Sequence, residues 1–272
     1  MTKTPFVSVI MCCYNEGKYL KDAVESILNQ SFDNFEFIII DDCSTDNTSG
    51  IIDFYKNRDK RIVSLRNAPN LGISESANKG IEISKGKYIA RMDADDIAAQ
   101  DRLLKQVALM EENPAVVVCG TNILLIDENK TVIGKIEYKY SDREIKKELF
   151  MKNPFANPTV MIRKDILSRY SIWYETTYPN AEDYQLWFKL AGHGYFRNIN
   201  EFLLWYRIDF PKKTRKCKAM VLETISLRIR YLMKSKRHLF NPFVTGRLLF
   251  EILLLLLPAQ WIIKLFLRMH RK

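Results

Sequence analysis

Residues 87–96 read KYIARMDADD, an apolar-rich run that ends abruptly in Asp93-Ala94-Asp95-Asp96. A short run carrying Tyr88, Ile89, Ala90 and Met92 suits a buried strand. The pattern recurs upstream. Residues 6–13 (FVSVIMCC) are followed by Tyr14-Asn15-Glu16, and residues 35–40 (FEFIII) by Asp41-Asp42. Taken singly, an acidic run such as 93–96 is an ordinary solvated loop. Three polar clusters, each just after an apolar strand, argue instead for one functional rim.

Between these strands the spacing becomes helical. Leu20, Ala23, Val24, Ile27 and Leu28 form one stripe over residues 18–30. Ser44 and Asp46 offer N-caps for a helix over 48–56, and further helices are expected over 74–84 and 101–112. Short strands at 62–65 and 115–119 complete a β-α-β alternation. That order predicts a mostly parallel sheet covered on both faces. Ligands bind such sheets beyond the carboxyl ends of the strands.

The second half is less regular. Residues 123–126 and 131–136 read as a hairpin around Asp127-Glu128-Asn129-Lys130. Residues 142–151 suit a helix, 157–163 a strand, 182–191 an amphipathic helix with Tyr184, Leu186, Trp187 and Leu190, and 202–208 a strand.

Composition bounds the possibilities. The 272 residues are 47% hydrophobic and 12% aromatic, enough to build a core and too apolar for global disorder. With 10 glycines and 9 prolines, no collagen-like or low-complexity chain is possible. The net charge of +10 is uneven: residues 211–272 carry +13 and residues 1–210 carry −3. Cys12, Cys13, Cys43, Cys119 and Cys217 include no C-x-x-C, and His193, His238 and His270 lack metal-ligand spacing. The first apolar run ends without a small-residue cleavage site, so a reducing cytoplasm is expected.

Closely spaced carboxylates repel unless a cation sits between them. Oxygen-only donors favour Mg2+ or Mn2+ over Zn2+. Neither G-x-x-x-x-G-K-[ST] nor G-x-G-x-x-G occurs, which weakens an NTPase or dinucleotide-dehydrogenase reading.

Residues 6–32 (FVSVIMCCYNEGKYLKDAVESILNQSF), 35–48 (FEFIIIDDCSTDNT) and 70–96 (NLGISESANKGIEISKGKYIARMDADD) together resemble a family 2, GT-A fold glycosyltransferase of the bacterial surface-polysaccharide type. The resemblance covers about residues 5–210, with its motifs in order. It implies a nucleotide-sugar donor, a UDP-sugar first among them, a divalent metal, and an inverting displacement at the anomeric carbon. By resemblance Cys12 and Tyr14 flank the base, with Asn15 and Glu16 in the same donor-binding segment. Asp41 contacts the base edge, and Asn70 and Asn78 occupy the donor-side segment. Asp93 and Ala94 lie near the ribose or sugar. Asp95, the second acid of the D-x-D, holds the metal.

Residues 181–187 (AEDYQLW) match the family's E-D-x-x-L-W pattern, in which the Asp, here Asp183, is the catalytic base. An inverting transfer needs such a carboxylate to take the acceptor proton, while a metal stabilises the leaving diphosphate. Acids in a first helical turn are also favoured by the helix dipole alone. Two departures stand out. Asn157 precedes Pro158-Thr159 where the family often has His, and no His follows Tyr206-Arg207-Ile208-Asp209. The processive Q-x-x-R-W is absent, so a single addition is expected. The alternatives are a non-catalytic nucleotide-sugar-binding membrane scaffold and a sugar nucleotidyltransferase. The latter normally needs a Gly-rich triphosphate loop that residues 13–16 lack.

The tail opens with Lys212, Lys213, Arg215, Lys216 and Lys218. A helix over 220–236 mixes Leu222, Ile225, Ile229 and Leu232 with Arg228, Arg230 and Lys234. Residues 248–267 are apolar but carry Glu251, Pro258, Gln260 and Lys264. A spanning helix needs about 20 apolar residues, and Pro258 would interrupt one. An in-plane helical pair is therefore expected, with Trp261 at the interface and Arg268, Arg271 and Lys272 on anionic headgroups. A helical cap on the catalytic domain, or an oligomer interface, is the alternative. Such apolar density argues against nucleic acid as the partner of the basic charge. The expected organisation is a GT-A domain over 1–210 and a helical tail over 211–272. The domain divides into a nucleotide-sugar half, 1–120, and an acceptor and base half, 121–210. The protein would act on a lipid-linked or saccharide acceptor, peripherally bound at the cytoplasmic face of the cell membrane.

Overall fold

All seven residues of β2 (Phe35–Asp41) are buried, Glu36 included. A strand flanked on both faces by helices has no solvated side, so its sequence is apolar apart from Glu36 and the terminal Asp41. Glu36 is tolerated because Ser8 Oγ and the Lys85 N–H both donate to its Oε1 at 2.6 Å. The computed structural model describes residues 4–235 and 242–270.

Strand β1 (Val7–Cys13) is followed by α1 (Leu20–Leu28), β2, α2 (Thr48–Lys56), β3 (Ile62–Arg66), α3 (Ile73–Ile83) and β4 (Tyr88–Asp93). β1 lies between β2 and β4, parallel to both, and β3 extends the same parallel set beyond β2. The predicted stripe of α1 is its buried face: Leu20, Ala23, Val24 and Ile27 are fully covered. Each such burial is worth about 1.5–3 kcal/mol for the larger side chains. Asp46 Oδ1 accepts from the Thr48 N–H at 2.9 Å at the start of α2, while Ser44 is used elsewhere.

The second half continues with β5 (Ile97–Ala98), α4 (Arg102–Glu112), β6 (Val116–Ile126), β7 (Val132–Ile136), α5 (Asp142–Glu148), β8 (Met161–Arg163), α6 (Lys164–Arg169), α7 (Glu182–Leu190) and β9 (Tyr195–Arg207). The sheet order is β3-β2-β1-β4-β8-β6-β9-β5, with β7 paired to β6. β8 runs antiparallel to β4 and β6, whereas β6 and β9 are parallel. The parallel set expected from the sequence is the first half, and the second half is mixed.

Before the tail three boundaries differ most from expectation, and in the tail the first helix starts at Phe210, ten residues before the expected start. β6 is one continuous strand where the sequence suggested two. Residues 157–163 are a 3-10 turn, Asn157–Thr159, leading into β8. Pro158 has no N–H for a strand ladder, which accounts for the turn. β9 begins at Tyr195, seven residues before the expected start.

The tail forms α8 (Phe210–Ser235), α9 (Pro242–Leu254) and α10 (Ala259–His270). It packs on the body by one face. Leu227 is buried in the core that contains Trp187 and Tyr184, while Ile262, Ile263 and Leu267 join the core on the opposite side of the sheet. The cap alternative therefore describes the inner face. The outer face leaves Leu253 at 61%, Leu256 at 79% and Trp261 at 64% exposure. Among the described residues no helix is long and apolar enough to cross a membrane. Arg271, Lys272 and Lys236 lie outside the described residues, as do the side chains of Lys212 and Lys213.

Candidate active site

The register of the parallel strands assembles the rim. Cys13 pairs with Asp41 across β1 and β2, and Cys12 pairs with Asp93 across β1 and β4. The strand ends are thus level, and the polar residues following them share one edge.

Tyr14, half exposed, and Asn15 open the β1–α1 loop. Asn15 adopts φ 55°, a left-handed conformation that asparagine accepts more readily than most residues. Its Oδ1 accepts from the Thr45 N–H at 2.8 Å, and its own N–H donates to Ser44 Oγ at 3.0 Å. The Glu16 N–H donates to Thr48 Oγ1 at 2.9 Å. Two rim loops are thereby stitched together. Asp41 is buried. Its Oδ1 accepts from the Ser44 N–H at 2.9 Å, and its Oδ2 lies 3.4 Å from Arg66 Nε. Asp42 accepts from the N–H groups of Leu71 and Gly72 and from Asn67 Nδ2, each at 2.8 Å, and so shapes the loop before α3.

Two expected donor contacts sit in scaffolding roles. Asn70 Nδ2 donates to the Asp42 carbonyl at 2.9 Å. Asn78 clamps Tyr174, donating to its carbonyl at 2.8 Å and accepting from its N–H at 3.0 Å. With both amide groups used on backbone, Asn78 fixes a loop across the edge of α3.

At the end of β4, Asp93, Asp95 and Asp96 bring one carboxylate oxygen each within 4.8 Å of the others. Ala94, between them, is buried. This all-oxygen set suits a hard divalent cation. Arg207, at the end of β9, holds the loop from behind. Its N–H donates to Asp96 Oδ1 and its Nε to the Asp95 carbonyl, both at 2.8 Å. Its guanidinium also donates to the carbonyls of Asp127 and Glu128 at 3.1 Å. Buried Arg91 lies behind Cys12, 3.7 Å from its Sγ. Burial pushes the Cys12 thiol up against the opposing pull of Arg91.

Asp183 occupies the first turn of α7. Asn153 Nδ2 donates to its Oδ2 at 2.8 Å, and the Tyr184 N–H to its Oδ1 at 2.6 Å. Burial raises its carboxyl above the usual range; those hydrogen bonds oppose the rise, and the charge of Asp93 adds to it. Glu182 is likewise raised, first by burial and then by Asp183. Asp93 therefore acts on a carboxylate carried by an element far along the chain. Tyr206 stands among Asp93, Asp95, Asp96 and Asp183; burial first, then those charges, push its hydroxyl well up and keep it neutral.

Sequence reasoning did not single out Asn153, Tyr174 or Tyr206 as parts of this region. Tyr206 had a signal in the Tyr-Arg pair ending an apolar strand. Asn153 had none, because only the fold carries residues 149–153 to α7.

The sequence profile of Glycosyl transferase family 2 matches residues 8–171. An uncharacterised glycosyltransferase of Methanocaldococcus jannaschii is 36% identical over 261 residues, covering 93% of this chain and 88% of the relative. The O-antigen biosynthesis glycosyltransferase WbnJ of Escherichia coli is 34% identical over 236 residues, covering 85% of this chain and 90% of the relative. Among solved structures, S. aureus TarS in complex with UDP superposes with TM-score 0.65 at 19% identity, over 89% of this chain and 74% of that one. A mannosyltransferase from Pyrobaculum calidifontis in complex with GDP-Man and Mn2+ superposes with TM-score 0.63 at 18% identity, over 98% and 81%. The structural likenesses establish the GT-A-like α/β fold, and the matched profile and curated relatives establish that the chain belongs to glycosyl transferase family 2 and is a glycosyltransferase.

Proposed function

We propose that this chain is an inverting, metal-dependent glycosyltransferase that moves one sugar from a UDP-sugar to a lipid-linked or saccharide acceptor at the membrane. The observation that carries the reading is the pairing of the Asp93, Asp95 and Asp96 cluster with Asp183, a partly buried carboxylate within electrostatic reach of Asp93. TarS was solved with UDP and the Pyrobaculum enzyme with GDP-Man and Mn2+, which supports a nucleotide-sugar donor and a divalent ion. The O-antigen relative supports a surface-polysaccharide acceptor.

In this reading residues 1–120 hold the donor. Cys12, Tyr14, Asn15, Glu16 and Asp41 line its nucleoside end, and Asp93 and Ala94 its ribose or sugar. Asn70 and Asn78 brace the loops around it. Asp95 holds Mn2+ or Mg2+, with Asp93 and Asp96 beside it. Such an ion supplies Lewis-acid stabilisation of the nucleoside diphosphate as it leaves.

Residues 121–210 orient the acceptor and carry the base. The acceptor hydroxyl oxygen bonds to the anomeric carbon as the bond to the diphosphate oxygen breaks, and its proton passes to Asp183. Asn153 and the Tyr184 N–H hold that carboxylate in its charged, proton-accepting form. Residues 211–272 bind the protein peripherally to the cytoplasmic face through basic side chains and the apolar outer face of α9 and α10.

The test is transfer from a panel of nucleotide sugars, read as nucleoside-diphosphate release, with Mn2+ and with EDTA. Asp95→Ala should lose Mn2+-stimulated transfer. Activity unchanged in excess EDTA would overturn the metal assignment.

A further inference from the structure

The tail touches the body where α7 begins. Glu223 of α8 accepts from the Asn180 N–H at 2.7 Å and from its Nδ2 at 2.6 Å, just ahead of the helix. Tyr231 stacks on Phe188 at 4.3 Å with the rings 10° apart. Between these struts lies a chain of polar contacts that carries the argument. Glu251 of α9, 5% exposed, accepts from Arg247 Nε at 2.9 Å and from Arg228. Arg228 of α8, 2% exposed, donates through Nε to Tyr184 Oη at 2.9 Å. The Tyr184 hydroxyl in turn donates to the Leu149 carbonyl.

That hydroxyl joins two segments meeting at the base. Tyr184 follows Asp183 on α7. Leu149 opens the loop carrying Asn153, whose Nδ2 donates to Asp183 Oδ2 at 2.8 Å. Loosening the hydroxyl frees both the helix that bears the carboxylate and the loop that orients it.

An ion pair is a poor choice for adhesion alone. Burying two charges costs desolvation, and well-packed apolar residues anchor a helix as well or better. What the guanidinium adds is direction: its planar fork fixes the Nε–H on the tyrosine oxygen while another nitrogen is held by the carboxylate.

We propose that Arg228 and Glu251 of the tail are positioning residues for Asp183, acting through the Tyr184 hydroxyl. This rests on the reading of Asp183 as the base. A small misplacement of a reacting group lowers the chemical step steeply, by as much as about 100-fold for 1 Å. Donor binding depends on the opposite segment and is untouched.

Full-length Tyr184→Phe and Glu251→Gln proteins test this by kcat and donor KM, each measured also in an Asp183→Asn background. Tyr184→Phe leaves the buried ion pair intact, so it decides the matter even where Glu251→Gln fails to fold. The expected result is a kcat about 10- to 100-fold lower with donor KM unchanged. No further loss should appear in the Asp183→Asn background, since a brace for an absent base has nothing to position. A wild-type kcat in Tyr184→Phe overturns the proposal. So does an equal loss with and without Asp183, which marks a general structural effect. Wild-type activity in Asp183→Asn alone removes the base assignment and the proposal with it. A lowered kcat in Asp183→Asn with a normal Tyr184→Phe removes only the proposal.

Discussion

At Asp183 two electrostatic effects oppose each other. The first turn of a helix and the donors Asn153 and Tyr184 N–H favour the carboxylate, while burial and Asp93 disfavour it. Burial prevails, so the folded carboxyl titrates above the usual range of about 4. In the proposed mechanism the charged form is the base, so kcat should fall as pH drops through that raised value. The measurement is the acid limb of kcat against pH; a limb confined to the ordinary carboxylate range would contradict it. Asp183→Asn should lower kcat by about 10²–10⁴ and leave donor binding intact. Stability carries the opposite sign. Near neutral pH the buried charge costs stability, because the folded group holds its proton more tightly than the unfolded one. Asp183→Asn should therefore raise the melting temperature at neutral pH, by an amount that shrinks as pH falls. A lowered melting temperature would show that the hydrogen bonds, not the burial, dominate. The proposed base was identified through its resemblance to the family's E-D-x-x-L-W pattern. Its partner Asn153 was not, because a hydrogen bond made across the fold leaves no local pattern.

Among the elements, strand β6 teaches the most. Gly120-Thr121-Asn122 reads as a break between two apolar runs, yet β6 runs unbroken from Val116 to Ile126. The glycine is there for space: a Cβ at position 120 would come 2.3 Å from Asn198 Oδ1 and 2.7 Å from the Phe155 ring. Gly120→Ala should cost about 1–3 kcal/mol, the usual penalty of overpacking. A urea midpoint unchanged from wild type would refute the crowding. The elements read most accurately from sequence were α1 to α4 and β1 to β4. Each has enough residues for its period to show, and α2 was expected over the span it occupies. β8 has only three residues and follows a proline turn, too short for any alternation to register.

For the molecule as a whole, the proposed membrane docking falls to the tail. Its inner face is committed to the body through Leu227, Arg228 and Glu251, while Leu253, Leu256 and Trp261 face outward. Coulomb attraction to anionic headgroups contributes about 1 kcal/mol per basic residue and is screened by salt, whereas apolar burial is not. High salt should thus release only part of the protein from anionic vesicles, and detergent the rest. Failure to co-sediment with such vesicles at low salt would refute membrane docking. A chain ending at Asp209 should also lose vesicle binding. It would uncover Tyr184 and Phe188 as well, and so should aggregate; a stable, monomeric truncation would show that the packing of α8 on α7 matters little.

Sequence alone determined the family, the parallel half of the sheet and the rim where its polar clusters gather. Those features rest on local periodicity and on contiguous motifs, which a linear chain displays directly. Only the tertiary structure decided that β6 continues through Gly120, that Asn78 clamps Tyr174, that Arg207 backs the acidic loop, and that a tail arginine reaches Tyr184. Each of these joins residues distant in the chain, and the burial that makes such contacts strong exists only once the core has closed around them.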